Sequence, residues 1–149
     1  MKSLFNAEYK RDIIERIKTL TASAQPLWGS MKVSQMFIHC TVSIKISLGE
    51  IKPELKEEYL KIGRTVKDRV LETDLFTKNL PTSKEFLVID DGNFEVNRDI
   101  LIDYINRFAE TDPENELKAT HPYLGDLTVK EWGVLIWKHT NHHLNQFGV

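Results

Sequence analysis

From Thr128 to Phe147 the apolar residues return every three or four positions, and the stretch opens with Thr128 and Glu131 at the spacing of a capping box. A chain holding such a segment must bury one stripe of a helix against a partner. At ~100° per residue Val129, Trp132, Ile136, His139, His143 and Phe147 share one arc, with Leu127 and Trp132 at the positions of a hydrophobic staple. Two imidazoles therefore stand one turn apart in the middle of an inward stripe. His142 falls at its edge, and Lys130, Lys138 and Asn145 are expected to point away.

Three earlier segments supply the partners for that stripe. Residues from about Asn6 to Leu20 gather Ile13, Ile14, Ile17 and Leu20 on one side, with Asn6 as cap. After the break at Gln25-Pro26-Leu27-Trp28-Gly29-Ser30, Val33 to Leu48 is apolar around most of its circumference. Residues Phe94 to Ala109 put Ile100, Leu101, Tyr104, Ile105 and Phe108 on one face and stop at Thr111-Asp112-Pro113. Between the second and third of these core helices, Glu50 to Asp74 hints at a shorter, partly exposed helix. Leu75 to Asn93 reads as a long irregular crossover. Glu85-Phe86-Leu87-Val88-Ile89 is the only strand-like stretch, and it would have no sheet to join. The expectation is an all-α domain of four core helices.

At 149 residues the chain fits one domain with one core. Its net charge of -2 is mixed along the length, which leaves no electrostatic footprint for nucleic acid. No run approaches a membrane span, and the charged start lacks a secretory apolar stretch. Cys40, the single cysteine, suits a reducing cytoplasm and a buried core position.

Two neutral imidazoles on a core stripe need partners for their ring nitrogens. Residues four apart on one helix face can grip one divalent cation, and a third histidine, His39, lies in the apolar second helix. Together they would leave an exchangeable coordination position. Ordinary hydrogen bonds to side chains and water remain the alternative, and His39 sits toward the flank of its own apolar arc. His142 and His121 are candidates for moving a proton, with solvated-edge and loop-packing roles as their alternatives. Gln35 lies one turn from His39 and Gln146 one turn from His142, so either could orient an imidazole. Trp28, Trp132 and Trp137 could line a cavity or simply fill core. Glu54, Glu57 and Glu58 read as a solvated face and Asp90-Asp91 as a turn. No serine elbow, phosphate-binding glycine loop or Cys-x-x-Cys pair is present.

Trp28 through His39, and His139-Thr140-Asn141-His142-His143-Leu144-Asn145-Gln146, resemble the second-helix entry and the C-terminal signature of the DinB-like superfamily. Lys78-Asn79-Leu80-Pro81-Thr82-Ser83, His121-Pro122-Tyr123-Leu124-Gly125-Asp126-Leu127-Thr128 and Gln146-Phe147-Gly148 look more closely like a subfamily described only as a domain of unknown function. The resemblance covers nearly the full chain. It implies a four-helix bundle in up-down-down-up order, with the crossover between its second and third helices. It also implies zinc or nickel held by His39, His139 and His143. Some relatives transfer bacillithiol or mycothiol to electrophiles. Leu144-Asn145 stands where many relatives carry arginine-glycine, a departure on the substrate side of the pocket.

The leading expectation is a metal-dependent transferase acting on a small-molecule substrate, with a low-molecular-weight thiol as cosubstrate. A hydrolase using metal-bound water is the second. The third is a non-enzymatic bundle with a binding or stress-response role, whose metal, if bound at all, is structural or incidental; a fourth ligand from His142 or His121 would support it. A homodimer is compatible with such bundles, although no apolar stripe is clearly left over; nucleic-acid and membrane partners are not expected.

Overall fold

A computed structural model of the chain describes residues 1–73, 76, 86–115 and 118–149. Among these, five α-helices and one β-hairpin run in the order α1 (Ala7–Thr19), α2 (Val33–Ser47), α3 (Glu57–Glu72), α4 (Phe94–Ala109), β1 (Lys118–His121), β2 (Gly125–Thr128) and α5 (Val129–Gln146).

The helix starts follow the side chains that precede them. Asn6 accepts from the backbone N–H groups of Glu8 and Tyr9, Asn93 from that of Val96, and Thr128 from that of Glu131. Glu131 returns the contact, taking the Thr128 N–H at 2.7 Å. Each such cap contributes about 1 kcal/mol. From α1 Ile13 and Ile17 enter the core, from α4 Leu101, Ile105 and Phe108, and from α2 residues on nearly every side, including Met36, Phe37, Cys40 and Ile44. Helix α2 touches α4 and α5, and α1 touches the same two, so these four elements enclose the core between them.

The molecule is mostly helical but not strictly all-α, which corrects the expectation. β1 and β2 pair antiparallel, with Ala119 opposite Leu127 and His121 opposite Gly125. Pro122-Tyr123-Leu124 makes the turn, and Gly125 supplies the left-handed residue that closes it, at φ 76°. The strand-like run at Glu85 forms no strand where it is described: residues 87–93 are irregular. The Lys78–Ser83 stretch lies outside the described residues.

Helix α3 is as long as α4, and it leans on α5 and on β2. Its seat depends on Gly63, where a Cβ would stand 1.5 Å from the carbonyl oxygen of Tyr123. The helix backbone and the hairpin turn meet with no room for a side chain.

Two residues depart from their expected faces. Ile100 is 40% exposed instead of joining the core stripe of α4. Lys138, expected to point away, is buried. Its ammonium donates to the Val70 carbonyl and to Thr73 Oγ1 at 2.7 Å, and lies 4.5 Å above the Phe76 ring. The C-terminal end of α3, with its unsatisfied carbonyls and negative dipole, offsets the cost of burying a charge.

Candidate metal centre

His39 on α2 and His139 and His143 on α5 converge. Nε2 of His139 lies 2.8 Å from Nε2 of His39 and 3.2 Å from Nε2 of His143. One nitrogen from each ring falls within 4.8 Å of the other two. The four-residue spacing on α5 accounts for one pair, and the packing of α2 on α5 brings in the third ring.

The outer nitrogens decide what the inner ones can do. His39 Nδ1 is 3.0 Å from the Phe86 carbonyl oxygen, which only accepts, so the neutral ring carries its proton on Nδ1 and leaves Nε2 bare. His143 Nδ1 faces Gln146 Oε1 at 2.8 Å, while Gln146 Nε2 donates to the Trp28 carbonyl at 2.8 Å. That second bond settles which end of the amide faces the ring, so His143 Nε2 is bare as well. Two lone pairs thus aim at His139 Nε2, which has at most one proton to share between them.

Charge cannot relieve the conflict. Burial disfavours the imidazolium forms, driving His39 below the usual histidine range, His139 well below it and His143 down to about 3. The rings also oppose one another's ionisation, His39 and His143 acting on His139. None of the three has a carboxylate hydrogen-bond partner among the described residues. Three neutral donors brought together, each of the two outer rings steered by a carbonyl or amide oxygen, form a set that could hold a metal ion.

The surroundings are aromatic. Phe86 lies with its ring centroid 5.5 Å from that of His39 and 6.1 Å from that of His139. Phe76 stands edge-on to His139 at 6.2 Å and to His142 at 5.8 Å, and Trp28 meets His142 at 5.7 Å. Trp28 therefore belongs to the site's margin. Trp132 and Trp137 are core, Trp132 Nε1 donating to the Ala119 carbonyl.

Gln146 orients His143, not His142. Gln35 serves elsewhere: Oε1 accepts from the Lys32 N–H and Nε2 donates to the Ile89 carbonyl, so it does not steer His39. Phe86 holds that position through its backbone, a contact with no side-chain signature in the sequence. His142 is not among the three convergent ligands, and neither is His121. His121 Nδ1 instead accepts the N–H groups of Tyr123 and Leu124 at 3.1 and 3.2 Å, tying the hairpin turn. Glu54, Glu57, Glu58 and Asp90 are exposed, and Asp91 pairs with Lys32 at 2.7 Å.

Cys40 is buried in α2 one residue after His39, yet its thiol turns away into the core. Burial pushes its ionisation far above the usual thiol range. It is a packed apolar group in effect.

No helix among the described residues is long and apolar enough to cross a membrane. A family model described as a protein of unknown function (DUF1569) matches residues 3–148. No curated protein and no solved structure matches the chain.

Proposed function

This chain belongs to the DUF1569 family, and from that premise and the convergence of three imidazoles we propose that it is a metal-dependent enzyme, a transferase that moves a small thiol onto an electrophilic small molecule. The proposal includes a DinB-like up-down-down-up bundle. The mutual packing of α1, α2, α4 and α5 supports it, with α3 and the hairpin as additions to that frame.

The observation that carries the reading is the pair of bare Nε2 atoms, on His39 and His143, aimed at His139. Zinc or nickel held by the three Nε2 atoms would supply a Lewis-acidic position at which a small thiol loses its proton near neutral pH. Phe86 and Gln146 hold two of the rings in the tautomer that binds, so little ordering remains to be done on binding. Phe76, Phe86 and Trp28 keep the surroundings apolar and water-poor. In the transfer, the sulfur electron pair forms the new bond to the electrophilic carbon, the leaving group departs with its bonding pair, and the thiol proton passes to that group or to solvent.

A neutral donor set leaves a divalent ion's charge uncompensated, which favours an anionic fourth partner. Thiolate and metal-bound hydroxide both meet that need, so the thiol assignment is supported by the DinB-like resemblance and decided by thiol dependence.

Elemental analysis tests the metal and thiol dependence tests the chemistry. The purified protein is expected to carry roughly one zinc or nickel per chain, and His139→Ala and His143→Ala to carry almost none. Unchanged stoichiometric metal in both variants would remove the site. Turnover of an electrophile that proceeds equally well without added thiol would replace the transferase reading with a hydrolase.

A further inference from the structure

His121 lies outside the three convergent rings, and its geometry leaves one function unused. Because Nδ1 accepts two backbone N–H groups, from Tyr123 and Leu124, the proton of the neutral ring must sit on Nε2. No hydrogen-bond partner for that Nε2–H exists among the described residues, and the residue is half-buried. The ring leans on Trp132, with centroids 5.5 Å apart, and on Phe86 at 6.3 Å. Phe86 is the same ring that packs on His39 and His139. A charge on His121 would oppose one on His139, so the two share one neighbourhood.

We propose that His121 presents its Nε2–H as a fixed, neutral hydrogen-bond donor to an oxygen atom of the molecule bound beside the three-histidine centre, making it a substrate-binding residue of that site. The ligand class is a small molecule bearing a hydroxyl, carbonyl or ether-type oxygen near its reacting atom. Burial holds the ring's pKa at about 4, so the donor stays uncharged through the neutral range and adds no further positive charge to the site. The inference rests on the metal reading above.

Two substitutions separate this role from turn support. In His121→Asn, the amide oxygen can replace Nδ1 as acceptor of the turn N–H groups, but nothing replaces Nε2–H. In His121→Gln the turn acceptor is lost and a donor stays near the Nε2 position. Cobalt-loaded protein would be titrated with ethanethiol and with 2-mercaptoethanol, which differ by one hydroxyl oxygen, following the sulfur-to-cobalt absorption band. The wild-type protein is expected to prefer 2-mercaptoethanol by about 5-fold, as one hydrogen bond gives. His121→Asn should keep its melting temperature and its cobalt while the preference falls to about 1-fold. His121→Gln should melt lower yet retain part of the preference. An equal preference in the wild type and His121→Asn would overturn the assignment, as would loss of cobalt from His121→Asn, which would make His121 a support of the metal itself. A wild-type protein that binds no metal would instead overturn the metal reading, and this one with it.

Discussion

Two polar clusters on this molecule are built from similar numbers of groups and behave in opposite ways. On the surface, Glu50 accepts from the Tyr104 hydroxyl at 2.6 Å and from Arg107 at 2.7 Å, and the Arg107 guanidinium lies 4.5 Å over the Tyr104 ring. Each group there meets its complement. The Tyr104 hydroxyl and the Arg107 guanidinium hold the Glu50 carboxyl below its ordinary range, and Glu50 in turn raises Tyr104 and Arg107. The three histidines are the reverse case: neutral, shielded, and directed at one another with more lone pairs than protons. Completeness marks a structural contact, and a shared deficit marks a place for something from outside.

The sharpest way to break this contrast is to disturb the steering of one imidazole. Gln146→Leu removes the oxygen that fixes the His143 tautomer, and metal affinity is expected to fall by about 10–100-fold, measured by competition with a chromophoric chelator. An unchanged affinity would mean that the tautomer is set some other way. A smaller effect is expected from acid. His121 has a folded pKa of about 4 against an ordinary 6.5, so the folded state holds fewer protons than the unfolded chain across that interval. Its contribution is complete above pH 6.5 and is lost as pH falls toward 4. Denaturant titrations of metal-stripped protein should show stability declining across that window, with His121 accounting for up to about 1.4 kcal/mol per pH unit of the slope and a correspondingly shallower slope in His121→Asn. Equal slopes would detach the acid response from His121. Smallest of all should be Arg107→Ala, whose ion pair is solvent-screened; a melting shift near the limit of detection is expected, with no change in bound metal. A large shift would show that the surface cluster carries more of the fold than its exposure suggests.

Much of the helical frame was legible because apolar periodicity and caps are local signals. Asn6, Thr128 and Glu131 announce α1 and α5, and the His139/His143 spacing announces one edge of the site. The hairpin escaped because β1 and β2 are four residues each and hold only Ala119 and Leu127 as apolar positions, too few to show alternation. Its signal was the turn chemistry around Pro122 and Gly125. Helix α3 was underestimated because half its seat is Gly63, where the packing surface is backbone. Lys138 followed its residue type on paper, whereas the end of a neighbouring helix supplied what its charge required. Gln35 stands at a spacing that permits contact with His39, yet the N-terminus of its own helix claimed its oxygen. In each case the deciding partner came from a distant part of the chain or from a main-chain atom that periodicity does not register.

The seclusion of Cys40 has a practical corollary. The chain's only sulfhydryl is walled in and held un-ionised, so in the proposed transfer the reacting sulfur must arrive with a diffusible molecule. Electrophilic reporter dyes added to the folded protein would then be consumed by that visitor and leave the polypeptide unlabelled. Mass spectrometry of the intact chain after such an assay reads the distinction directly.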